Sequence, residues 1–130
     1  MGLDEIYNYW PYYIRSPKVL EVARLHFNCP NMTGVPLEIS GGNSSVKLHW
    51  EGTVMGNDYM TAKTQPHMVV SAITLALFED SGWYMPSYEL AEDLWWGKDR
   101  GCEFVNHYSC PMGDTSSNLT GEFCSFSDSP

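Results

Sequence analysis

The most continuous apolar stretch of the chain follows Pro66. Met68, Val69, Val70, Ala72, Ile73, Leu75, Ala76, Leu77 and Phe78 leave no wide polar face, so a helix over 66–78 is expected to be buried on most sides. Such a helix spans roughly 20 Å, enough to cross a small domain but too short for a bilayer. Glu79-Asp80-Ser81 and then Gly82, which accepts a left-handed cap, mark its end. A second helix is predicted upstream, where Val19, Leu20, Ala23 and Phe27 share one stripe and Lys18, Glu21 and Arg24 lie elsewhere. Ser16-Pro17 is its start signal, with the serine as cap, and it ends near Asn28. His26 falls in the last turn, where a positive imidazolium favours the helix dipole.

Between and beyond these helices the periods are shorter. Residues 35–39 alternate like a short strand, Gly41-Gly42-Asn43-Ser44-Ser45 must be loop, and Pro86-Ser87 opens a short helix over 88–94 with Ser87 as cap. Residues 1–15 carry Tyr7, Tyr9, Trp10, Tyr12 and Tyr13, more aromatic surface than a free tail exposes. They read as an edge strand or arm on the domain's own core, or else as a face left by an absent upstream domain. From 114 to 130 serine, glycine and acids dominate, and a loosely ordered tail is expected. The pattern predicts an α+β, mainly helical unit with irregular loops, one long buried helix and few short strands.

Composition narrows the partners. At 130 residues the chain is one domain at most, and 43% hydrophobic residues suffice for a core. A formal charge of −9, with its few bases scattered, repels a phosphate backbone, so no nucleic-acid partner is expected. No apolar run is long enough for a transmembrane segment, and any membrane attachment is expected outside this chain. Cys29, Cys102, Cys110 and Cys124 lack C-x-x-C spacing, which favours disulfides over a zinc knuckle. Glycosylation acceptors at Asn31, Asn43 and Asn118 point the same way, toward an extracellular or cell-surface location. The start, Met1-Gly2-Leu3-Asp4-Glu5, has no signal-peptide pattern; with the sequons, this suggests a downstream piece of a longer secreted chain.

Taken alone, His49 beside Trp50 reads as a packed histidine. A catalytic zinc needs three protein ligands and an open position, and no His-Glu-x-x-His helix occurs here. His67 and His107 each lack a partner at i+4, and no G-x-S-x-G elbow is present for a serine nucleophile.

Several motifs nonetheless recur in a known order: Gly41-Gly42, His49-Trp50-Glu51, Asp58-Tyr59-Met60-Thr61, Ala76-Leu77-Phe78-Glu79-Asp80-Ser81-Gly82-Trp83-Tyr84, Ala91-Glu92, Trp96-Gly97 and Gly101-Cys102-Glu103-Phe104. With Ser16-Pro17, Val19-Leu20 and His26-Phe27-Asn28-Cys29, they resemble the leishmanolysin family of surface and secreted zinc endopeptidases, in the metzincin group. The resemblance covers about residues 14–110 and implies that residues 1–110 are the C-terminal part of such a catalytic unit, with 111–130 the loosely ordered start of a Cys-rich C-terminal region. It implies a metzincin C-terminal subdomain with His49 as the third zinc ligand, on a loop separate from the helical pair. Met60 would be the methionine of the turn beneath the metal, its polarisable thioether an adaptable apolar floor. It also implies a Cys29–Cys102 bridge, worth about 4 kcal/mol on the chain-entropy model.

The chain departs from the family in carrying Val46-Lys47-Leu48 where small residues usually precede the histidine, and Asp58-Tyr59 where an acid-leucine pair usually precedes the methionine. In that family zinc activates water for peptide-bond hydrolysis and a helix glutamate acts as base. With Zn2+ as the implied cofactor and peptide or protein as substrate, this chain supplies one ligand and is expected to be inactive alone. The other reading is a non-catalytic secreted adhesion or binding module derived from that family.

Overall fold

The computed structural model describes residues 12–39, 42–43 and 45–106. Strand β1 (Tyr13–Ile14) leads into helix α1 (Pro17–Phe27) and strand β2 (Val35–Pro36). Helix α2 (Gly52–Met55), helix α3 (Ala72–Asp80), a 3-10 turn (Tyr88–Leu90) and helix α4 (Cys102–Asn106) follow. The architecture is α+β, mainly helical and looped. β1 and β2 pair antiparallel, Tyr13 opposite Pro36 and Ile14 opposite Val35, so the described end of the aromatic arm is an edge strand on the domain's own sheet. The expectations for residues 1–11 and for the tail, with His107, Cys110, Cys124 and Asn118, fall outside the described residues.

α1 forms where its stripe predicts, with Val19, Ala23 and Phe27 fully buried and packed toward α3. Its cap is not the expected one. Ser16 has capping backbone geometry, but its side chain makes no cap bond. Asp80, at the far end of α3, accepts instead from the amides of Lys18 at 3.1 Å and Val19 at 2.9 Å. Proline at position 17 removes one free donor, and a carboxylate suits the positive end of the helix better than a hydroxyl. Desolvation pushes the Asp80 carboxyl up, but the Ser16 hydroxyl, the two amides and the Lys18 ammonium outweigh it, and the net shift is downward.

At its other end α1 closes on Asn28, in the left-handed region at φ 54°. The last carbonyls are taken up by a distant loop: Asp99 donates to His26 O at 2.8 Å and Gly101 to Phe27 O at 2.7 Å. These two bonds set Cys102 beside Cys29, and the resulting disulfide spans 4.8 Å between Cα atoms across a sequence separation of 73. Phe27 stacks on Phe104 behind it, and Trp96 meets Phe104 edge-on. Gly97, at φ 70°, passes so close to Phe27 and Phe104 that a Cβ there would collide with both rings.

α3 begins later than its apolar run. Val69 instead bridges Asp58, with Tyr59 N donating to Val69 O at 2.7 Å and Val69 N to Asn57 O at 3.0 Å. Only at Ser71, whose side chain accepts from Thr74 N, does the helix start. Its buried face is Ile73, Thr74 and Ala76, while Phe78 is 41% exposed, so it is buried on one side rather than on most. The expected helix over 88–94 is a single 3-10 turn, and Ser87 makes no side-chain cap bond.

Candidate metal centre

His49 sits in a ladder built by the loops around it. On one side, Glu38 N donates to His49 O at 2.8 Å, Lys47 N to Glu38 O at 3.0 Å and Glu51 N to Pro36 O at 3.0 Å. On the other, Trp50 N donates to Met60 O at 3.0 Å, within a parallel bridge between Trp50 and Thr61. Adjacent residues of an extended segment face opposite ways. Trp50 is fully buried and anchors the segment, while His49 is half-buried. Its Nδ1 meets the carbonyl of Ser45 at 3.2 Å. A ring held there through Nδ1–H has its Nε2 lone pair free for a cation, the usual way a backbone carbonyl orients a ligating imidazole. His49 therefore fits the role of a zinc ligand.

The methionine turn lies directly against this segment. Residues 58–61 form a tight turn closed by Thr61 N on Asp58 O at 3.1 Å, and half-buried Met60 packs on the core. What fixes the turn is Asp58, which has no exposed surface. Its Oδ1 accepts from Met60 N and from Thr74 Oγ1, both at 2.8 Å; its Oδ2 accepts from Ser71 Oγ at 2.5 Å and Ser71 N at 3.3 Å. Thr74 in turn accepts from the indole N–H of Trp50 at 2.9 Å. One carboxylate thus joins the methionine turn, the start of α3 and the residue next to His49. A buried carboxyl group is tolerated only when so fully bonded. Sequence reasoning missed this network. Its signal was Ser71 and Thr74, two polar residues in an apolar run that need partners once buried.

Glu51 ends the segment as the cap of α2, accepting from Thr53 N at 3.3 Å and Thr53 Oγ1 at 3.2 Å. A cavity of about 770 Å3 opens beside it, lined among others by Glu38, Glu51, Gln65, His67 and Trp96. The exposed His67 lines this cavity, and His49 does not. His26 is turned inward, its Nε2 at 3.0 Å from Trp96 O. Burial lowers its pKa, the Trp96 carbonyl raises it, Lys98 lowers it and Asp99 raises it, and the net effect favours the neutral ring. The imidazolium expected at the helix end is replaced by a packed, hydrogen-bonded imidazole. Among the described residues no three His, Cys, Asp or Glu side chains converge on a point that would hold a metal. No helix among them is long and apolar enough to cross a membrane.

The segment bearing His49 and the turn bearing Met60 are thus joined through the Trp50 amide and the Met60 carbonyl. Residues 6–129 match the Peptidase M8 family, leishmanolysin. The chain belongs to the leishmanolysin family of metallopeptidases. Over 90 residues it is 49% identical to a leishmanolysin-like peptidase of Caenorhabditis briggsae, a match covering 69% of this chain and 14% of that protein. A leishmanolysin-like peptidase of Drosophila melanogaster is 45% identical over 90 residues, 69% of this chain and 13% of that one. A leishmanolysin homolog of Crithidia fasciculata is 38% identical over 92 residues, 71% of this chain and 14% of that one. The chain thus spans about 14% of the length of the curated relatives it matches.

Proposed function

We propose that this chain is the C-terminal part of a leishmanolysin-like zinc endopeptidase acting outside the cell or at its surface. His49 Nε2 is the third zinc ligand, and Met60 is the apolar floor beneath the ligand rings. The observation that carries this is the hold of the Ser45 carbonyl on His49 Nδ1, which fixes both tautomer and ring direction. The remaining ligands and the catalytic glutamate belong to a His-Glu-x-x-His helix elsewhere in the longer polypeptide. Bound zinc would supply Lewis acidity and an activated water for attack on a peptide carbonyl. The work of this chain is positional: Trp50 and Asp58 lock the segments bearing His49 and Met60 together, so the imidazole is oriented before the ion arrives.

One histidine leaves zinc mostly to water, so the chain alone binds the metal weakly and hydrolyses nothing. Calorimetric titration of the isolated chain with zinc, together with a casein assay, tests this; chelator-sensitive cleavage by pure material would overturn it. In the longer protein, His49→Ala is expected to abolish stoichiometric zinc and peptidase activity together. The adhesion-module reading draws on a different observation, the exposed side chains of Trp83, Tyr84 and Met85, and it predicts that the same substitution leaves function intact.

A further inference from the structure

Glu51 leaves one oxygen unaccounted for. The residue is 7% exposed, and while Oε1 accepts from Thr53 N and Thr53 Oγ1, Oε2 is buried with no hydrogen-bond partner. A buried acceptor in that state is uncommon in a folded protein and costs free energy until a donor meets it. The wall of the cavity of about 770 Å3 that Glu51 helps to line does not supply one. Gln65 Nε2 donates to Gly56 O at 2.8 Å, Asn57 Nδ2 to His67 O at 2.6 Å, Thr61 Oγ1 to Asp58 O at 2.8 Å, and the Trp96 indole N–H to Thr53 O at 3.0 Å. Lys63 and His67 line the cavity too, but both are exposed and neither bonds Oε2. A second carboxylate adds to the demand, since Glu38 is 6% exposed and lines the same cavity. The antiparallel bridge between Leu37 and Trp50, with Glu38 N on His49 O and Glu51 N on Pro36 O, makes Glu38 and Glu51 diagonal neighbours on one face, roughly 7–8 Å apart.

We propose that this cavity is the docking site for an arginine side chain from the remainder of the longer polypeptide, joining that part to the segment that bears His49. This rests on the reading of the chain as one portion of a larger peptidase. Two acids and an indole in one wall suit a flat, weakly hydrated guanidinium better than a compact ammonium. A resident occupant fits better than a passing one, because Glu51 Oε2 is stranded again each time a passing ligand leaves. The chain spans about 14% of the length of its relatives, so most of such a polypeptide is available to supply the arginine. Glu51 stands two residues after His49, so the joining of the two parts also steadies the segment of the proposed zinc ligand.

The test compares Glu51→Gln in the 130-residue chain and in the full-length protein, since glutamine keeps an oxygen for Thr53 and removes the charge. In the chain, where the oxygen is stranded, the melting temperature is expected to stay level or rise slightly. In the full-length protein it is expected to fall by several degrees, with amide exchange over residues 52–56 several-fold faster. N-acetylarginine amide is expected to shift the Trp96 indole N–H resonance of the chain but not of its Glu51→Gln variant, and to give no heat of binding with the full-length protein, whose site is filled. A similar loss of stability in both forms makes Glu51 a local helix cap and overturns the inference. So do an unchanged full-length protein, a chain that ignores the probe, and a full-length protein that binds it. None of these measurements needs activity. An inactive full-length protein in which the two effects still differ upholds the docking and sinks the peptidase reading, and an active one in which they agree does the reverse.

Discussion

The helical half and the looped half of this molecule are made rigid by different means. α1, α3 and α4 are held by burial: Val19, Ala23, Phe27, Ile73, Ala76 and Phe104 form the core, and the Cys29–Cys102 bridge closes it. The loops at 35–39 and 45–61 have little regular structure of their own. They bury Val35, Trp50, Val54 and Met55 in the same core, but their backbone is fixed by the buried Asp58 carboxylate and by backbone bonds between single residues. The contrast teaches where chemistry can be placed. A packed helix fixes its own backbone but turns its side chains into the core, whereas a bonded loop can lock Trp50 inward and leave the neighbouring His49 outward.

The largest expected effect breaks the helical half. Replacing Cys29 and Cys102 by serine should cost about 4 kcal/mol in urea unfolding of the isolated chain, because it frees a long loop in the unfolded state. Next comes the looped half. Asp58→Ala strands two hydroxyls and two amides in the interior and should cost about 3 kcal/mol. The indole N–H resonance of Trp50 should shift with it; an undisturbed resonance would mean that the carboxylate is not the clamp.

Smaller effects sharpen the same contrast. Asp80→Ala removes the distant cap of α1 and should cost about 1 kcal/mol at neutral pH. Because the folded pKa of Asp80 lies below its unfolded value of 3.8, its contribution is present above that pH and is lost as pH falls through the folded pKa. The wild-type stability curve should therefore bend downward in that acid range and the variant should not. His26 acts higher: its folded pKa lies below 6.5, so stability fades as pH drops from 6.5 through the folded value, and His26→Gln should flatten that limb in thermal melts. His49→Ala should change stability least, by less than about 0.5 kcal/mol, since the ring makes one bond at the edge of the ladder. A large loss there would show that the imidazole is part of the packing and not free for a cation.

The apolar stripe on α1, the α+β class, the turn around Met60 and the pairing of Cys29 with Cys102 were all legible, the last two through family resemblance. They rest on local period or on motifs that survive in order. The start of α3 was not legible, because Met68, Val69 and Val70 suit a strand bridge and a helix equally, and the partner at Asn57 to Tyr59 decides between them.

By itself the sequence determined which stretches must hide from water and which residue types were on hand for a metal, since both follow from side-chain chemistry at fixed spacing. Only the tertiary structure decided that Asp80 rather than Ser16 caps α1, that Asp58 joins the Met60 turn to α3, and that His26 sets its Nε2 on the Trp96 carbonyl while His49 sets its Nδ1 on the Ser45 carbonyl. Each of those choices is a hydrogen bond between residues distant in the chain or a difference in burial. Such bonds form only once packing has excluded water and brought the distant partners within reach.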